Sequence, residues 1–145
     1  MIKRAAIMFA LNNKANEYCT ANSLDAVFSG KDTSGKTYDP KATQSYVRFD
    51  LLGNDTQRLS VKGNETDFLQ NGIYQAMIMV GKSSGKNTTI RSAQLADLLQ
   101  QSFTQNLVLT NDNQDVMIVR CSVDIETNDE THEGLIVSIY FNCLG

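Results

Sequence analysis

The sequence predicts an α+β fold: an antiparallel-rich sheet, packed by an N-terminal helix and a second helix, and ending in a long β-hairpin. Three observations carry this. Residues 72–103 read as strand, loop and helix in succession. Ile73 to Val80 is apolar at every position except Gln75, as in a central strand covered on both faces. Leu95, Ala96, Leu99 and Phe103 then recur at helical spacing, a single stripe that would lie on the sheet. Strict alternation near position 50 and again in the last thirty residues supplies the flanking strands.

Taken in order, Met1 to about Tyr18 reads as a helix, with Ile2, Ala5, Met8, Phe9, Leu11, Ala15 and Tyr18 as a wide apolar stripe and no Gly or Pro to interrupt it. Leu24, Ala26 and Phe28 alternate weakly, which suggests a short strand. Ser29 to Gln44 holds turn residues and charges without periodicity and reads as a long loop. In Tyr46 to Leu52, Val47, Phe49 and Leu51 point one way, Arg48 and Asp50 the other. Gly53-Asn54-Asp55 reads as a turn, Gln57 to Lys62 as a further strand, and Gly63-Asn64 as another turn, so the region is expected to be a three-strand meander.

After the second helix, expected to end near Gln105, Asn111 to Asp115 reads as a polar turn. In the two last strands every odd position is apolar: Met117, Val119, Cys121, Val123 and Ile125 in one, Leu135, Val137, Ile139, Phe141 and Cys143 in the other. A hairpin must then pair odd with odd, because a one-residue slip turns one row to the other side. A register with Cys121 beside Ile139 satisfies this, and it sets Cys121 and Cys143 on one face without facing each other. Glu126 to Gly134 is long and charged, and is expected to project as a flexible acidic loop. No repeat and no linker is visible, so a single domain over residues 1–145 is expected.

Composition narrows the classes of function. The chain has 145 residues, 41% hydrophobic and 20% charged, the balance of a globular protein. Its three cysteines lack a C-x-x-C spacing and read as buried thiols rather than disulfides. Lys3 and Arg4 precede a short apolar run, but no small-x-small cleavage site follows closely, so a helix is preferred to a signal peptide. No stretch is long enough to cross a bilayer. The net charge of −3 is unevenly placed. Residues 1–91 carry 12 basic and 8 acidic side chains, whereas residues 92–145 carry Arg120 against 8 acids. That profile disfavours gripping nucleic acid and suits a subunit whose two ends meet in an assembly.

No constellation points to catalysis, a cofactor or a metal. Gly81-Lys82-Ser83-Ser84-Gly85-Lys86-Asn87-Thr88 lies between strand and helix as a phosphate loop would. Its spacing is one residue short, however, and Asn87 stands where a magnesium-binding hydroxyl belongs. Asp124 to Glu133 imitates a calcium loop without its glycine or its closing glutamate. His132 has no Ser or Cys partner that spacing nominates and is expected in solvent. Arg48 and Asp50, on the wet face of their strand, could pair with a neighbouring subunit. Lys82 and Lys86, with Asp129, Glu130 and Glu133, mark the loops where contacts with other subunits or a tube are expected.

Tyr46-Val47-Arg48-Phe49, Gly72-Ile73-Tyr74-Gln75, the loop Gly81 to Lys86, the helix Ala96 to Phe103 and the strands from Val116 and Leu135 together resemble, in order and length, the phage tail terminator and tail-completion proteins of long-tailed phages. Relatives often carry a proline where this chain has Val80-Gly81-Lys82. The resemblance implies a virion structural protein of the tail or neck, made in the host cytoplasm. It further implies a homo-oligomeric ring, six-fold in the family, that caps the tail tube protein, ends tube growth and presents a surface to the head-tail connector protein. DNA would pass through the lumen without specific binding, with the acidic loop repelling it. Three other readings stand beside this one: another neck or tail-completion subunit, a small nucleotide-binding enzyme using Lys86 and Thr88, and a monomeric binding module.

Overall fold

The structure, a computed structural model, describes residues 3–58 and 68–144. The elements are helix α1 (Arg4–Ala21), strands β1 (Asp25–Phe28), β2 (Tyr46–Arg58) and β3 (Phe68–Gly81), helix α2 (Thr88–Ser102), and strands β4 (Val108–Asn111), β5 (Gln114–Asn128) and β6 (His132–Leu144). They form one six-stranded sheet in the order β1-β2-β3-β6-β5-β4. Only β1 pairs in parallel, with β2; every other ladder is antiparallel. Two helices on a mixed, antiparallel-rich sheet with a final hairpin make the fold α+β.

The strand–loop–helix unit at residues 72–103 organises the molecule. β3 is central, paired with β2 on one side and β6 on the other. α2 packs on β6 and β3, and Leu95, Ala96, Leu99 and Phe103 are all buried beneath it. The predicted stripe is therefore the core stripe, although the helix ends at Ser102. Phe28, Phe49, Tyr74 and Phe103 run through the core as successive ring contacts, with centroids 5.6, 5.5 and 6.5 Å apart. Tyr18 donates its hydroxyl to the Leu95 carbonyl at 2.7 Å, which fastens α1 to α2.

α1 is rotated from the expected orientation. Ala6, Ile7, Ala10, Leu11, Ala15 and Tyr18 are buried, whereas Ala5, Met8 and Phe9 face solvent, Phe9 being 57% exposed. The N-terminal half of this helix is apolar almost all round, so contact with the sheet, not periodicity, selects the buried side.

Several boundaries also differ from expectation. The turn at Gly53–Asp55 is absent: β2 continues to Arg58 through a bulge between Leu52 and Asp55, because β3 begins early enough to pair with it from Asp55↔Asn71 to Arg58↔Phe68. A bulge absorbs the irregular residues without ending the strand. The expected meander is thus a two-strand ladder, and the strand and turn foreseen at residues 59–64 lie outside the described residues. β4 was not anticipated. It joins β5 through Asp112 and Asn113, both at positive φ (48° and 60°), in a two-residue hairpin. Left-handed backbone at both central positions matches strand twist, and Asp and Asn tolerate it.

In the β5–β6 hairpin Cys121 does stand opposite Ile139, and Val137, Ile139, Phe141 and Cys143 are buried as foreseen. The odd row of β5 is not a core row throughout. Val116 and Ile118 are buried instead of Met117, and a bulge between Ile118 and Arg120 then exchanges the faces, so that Cys121 turns inward. Beyond it, Val123, opposite Val137, keeps to the core side at 41% exposure, and a second bulge before Ile125 sets Ile125, opposite Ile136, on the other face at 61%. Cys19, Cys121 and Cys143 form no disulfide. Burial pushes their thiols up to about 12, 11 and 11 respectively, which leaves them unreactive at neutral pH.

Candidate interaction surface

The tip of the β5–β6 hairpin is built, not loose. Asp129, Glu130 and Thr131 make a short turn in which Asp129 Oδ1 accepts from the backbone N–H groups of Thr131 (2.8 Å) and His132 (2.7 Å). These bonds, the Thr131 N–H foremost, hold the Asp129 carboxyl below its usual range. The expected flexible acidic loop over residues 126–134 is therefore corrected. Glu126 to Asn128 belong to β5 and His132 onward to β6, and the ladder closes at Asn128↔Glu133.

His132, expected in solvent, is fully buried. Its Nε2 lies 2.7 Å from the Gln44 carbonyl oxygen. That oxygen only accepts, so Nε2 carries a proton and donates. Nδ1 contacts the Thr131 hydroxyl at 2.8 Å, and the ring meets Tyr46 edge-on at 5.0 Å. The cover is the segment at residues 29–45, which folds back over this end of the sheet. Tyr38 stacks against Tyr46, and the two join Val27, Met77 and Met79 in a second apolar cluster. Nothing in the residues around His132 announces this; two tyrosines, Tyr38 and Tyr46, in and beside an otherwise polar loop were the available sign.

The loop after β3 is tied to the same tip. The Lys82 N–H donates to the Thr131 carbonyl at 2.8 Å and its Nζ donates to the Asp129 carbonyl at 2.6 Å. Glu133 accepts from the Thr88 hydroxyl at 2.7 Å and from the Thr89 hydroxyl at 3.5 Å. Asn87 caps α2 by accepting from the Ile90 N–H at 3.1 Å. These contacts occupy the place that a phosphate loop keeps for its ligand. The first helical turn, where a phosphate would sit, already has a carboxylate of the chain's own beside its hydroxyls and an amide on one of its N–H groups.

The structure thus draws Lys82, Asp129 and Glu133 into one intramolecular network and leaves Lys86 and Glu130 exposed. Arg48 and Asp50, foreseen as a possible intersubunit pair, bind each other at 2.9 Å on the outer face of β2. Among the described residues no group of three His, Cys, Asp or Glu side chains is placed to hold a metal ion, and no helix is long and apolar enough to cross a membrane.

What remains prominent is surface. Lys86, Ile90 and Arg91 form a basic and apolar patch on α2, beside a groove of about 350 Å³ that reaches Leu24 and Ser45. On the far edge of the sheet, Val123, Asp124, Ile125 and Glu126 expose apolar and acidic groups together. The fold is a small α+β domain with basic and acidic groups gathered on different parts of its surface. Its sequence matches the profile of the phage tail terminator proteins over residues 6–141. The chain belongs to that family and is a structural protein of the phage tail. One solved structure superposes with a TM-score of 0.71 over 99% of this chain and 96% of its own, at 16% identity, a likeness of fold. Among curated proteins, no significant sequence match is found.

Proposed function

We propose that this chain caps the phage tail tube. Copies arranged side by side in a ring, six in the family pattern, sit on the last layer of tube protein, stop its growth and offer their other face to the head-tail connector. The observation that carries this is membership of the tail terminator family across almost the whole chain. The unlike charge of the patch at the start of α2 and the distal part of β5 supports it, because a ring requires heterologous contacts, one face of a subunit against a different face of the next. In the virion, Glu130, exposed at the hairpin tip, faces the lumen and keeps DNA from adhering as it passes.

Electron microscopy of the purified protein, alone and mixed with tail tubes, tests this. Open-centred rings, or density at one tube end with tube length arrested, are expected. A protein that neither forms rings nor binds tube ends overturns the reading. One that binds the connector alone makes it a different neck subunit. A Glu130→Lys virion should eject DNA more slowly; unchanged ejection removes the role given to Glu130.

A further inference from the structure

We infer that the ring junction is formed by the Lys86–Ile90–Arg91 patch of one copy docking on the outer edge of β5, Val123 to Glu126, of the next. The inference rests on the ring reading above and goes on to name its two surfaces.

Neither surface is covered by the described residues of its own chain. Ile90 and Ile125 are 58% and 61% exposed, among the most exposed large apolar side chains of the protein. Isolated exposed residues need no explanation, but Ile90 is framed by basic groups and Ile125 lies in a strand segment whose charged residues are both acidic. Lys86 and Arg91 flank Ile90, and neither side chain makes a hydrogen bond or ion pair among the described residues. By register Ile125, opposite Ile136, stands on the sheet face away from the core with the bulged Asp124 next to it, and Glu126, opposite Leu135, lies on the other face of the same strand segment. Asp124 accepts a hydrogen bond from Ser138, and Glu126 has no ion-pair partner among the described residues. β4 pairs with β5 only from Gln114 to Met117, so the outer edge of the distal half of β5 has no strand beside it.

The placement fits a ring. The basic patch borders Leu24 and Ser45, at the β1 and β2 side of the sheet, and the acidic edge is β5, on the opposite side. About 19 Å of sheet separates β1 from β5 at ordinary strand spacing. The two surfaces are also level. Ser45 bonds Gly81, Gly81 pairs with His132, and Thr127 pairs with Gly134, so both lie toward the hairpin-tip end. A copy set beside the first brings the basic patch to the acidic segment of β5. Because the surfaces differ, the contact repeats around a closed ring instead of ending at a dimer.

Sedimentation velocity of the full chain tests it with two charge-reversed proteins, Lys86→Glu with Arg91→Glu, and Asp124→Lys with Glu126→Lys. The wild type is expected as a ring-sized oligomer that weakens as salt is raised. Each variant alone should be monomeric and at least tenfold weaker in assembly. Because Asp124→Lys also removes the Ser138 hydrogen bond, Glu126→Lys alone serves as the second variant and should weaken assembly with an unchanged melting temperature. An equimolar mixture of the two should recover the oligomer, since reversed edges again meet opposite charge. Ile90→Asp should abolish assembly without recovery in either mixture. Wild-type rings together with variants that assemble as well as wild type overturn this junction and leave the ring reading standing. A wild type that stays monomeric in solution and at tube ends overturns both.

Discussion

The imidazole of His132 is bonded to the carbonyl oxygen of Gln44 at 2.7 Å, 88 residues earlier in the chain. This contact fastens the segment at residues 29–45 to the tip of the last hairpin, and through Lys82 to the loop that opens α2.

Replacing His132 with Ala should destabilise the protein by about 3 kcal/mol, combining a buried cavity with an unpaired carbonyl. Urea unfolding measures the loss. Amide exchange should accelerate in residues 29–45 before it does in α1, since none of the hydrogen bonds of this network reaches α1. A loss below about 1 kcal/mol contradicts the account.

Gly134 has no room for a side chain. A Cβ there would lie 1.6 Å from the Ile78 carbonyl oxygen, an atom of the β3 backbone that cannot turn away. Gly134→Ala should therefore cost about 3 kcal/mol or more by forcing the central strands apart. A melting temperature within a degree or two of wild type would show that β3 and β6 yield more easily than their pairing suggests.

The Tyr18 hydroxyl is buried against Leu95, and burial raises it above its ordinary value. Tyr18→Phe keeps the ring and removes the bond, and should cost about 1 kcal/mol with no change in assembly. A loss of oligomer in that variant would assign α1–α2 docking a direct part in the ring.

Stability should fall in alkaline solution. A thiol in the unfolded chain ionises near its ordinary 9.0, whereas folded Cys19 and Cys143 hold their protons to about 12 and 11. Above pH 9 the native state thus binds more protons than the unfolded state, and stability declines by about 1.4 kcal/mol per pH unit for each thiol. Chemical unfolding at pH 8, 9 and 10 should show little change over the first interval and a decline over the second. In Cys143→Ala the decline should be shallower. A flat profile to pH 10 would mean that these thiols ionise in the folded protein.

Much of the fold was legible from local chemistry. The α2 stripe and the central place of β3 follow from which positions are apolar, because burying one face admits a single period. The Cys121–Ile139 pairing was also foreseen, but it holds between two bulges that shift the register on either side. Membership of the family was legible in the same way, from short segments in a fixed order. Contacts distant in sequence decided the rest. α1 carries apolar groups nearly all round, and only its seat on the sheet turned Ile7 and Leu11 inward and left Phe9 outside. Gly53 to Asp55 has the composition of a turn, yet a long partner strand made it a bulge. The acids of residues 126–133 suggested a loose loop until Asp129 was seen to bind the turn's own N–H groups and Glu133 the hydroxyls of α2. Periodicity reports which residues must leave water. It does not report which distant backbone will meet a histidine or a carboxylate, and that meeting determines which charges stay free for a neighbouring subunit.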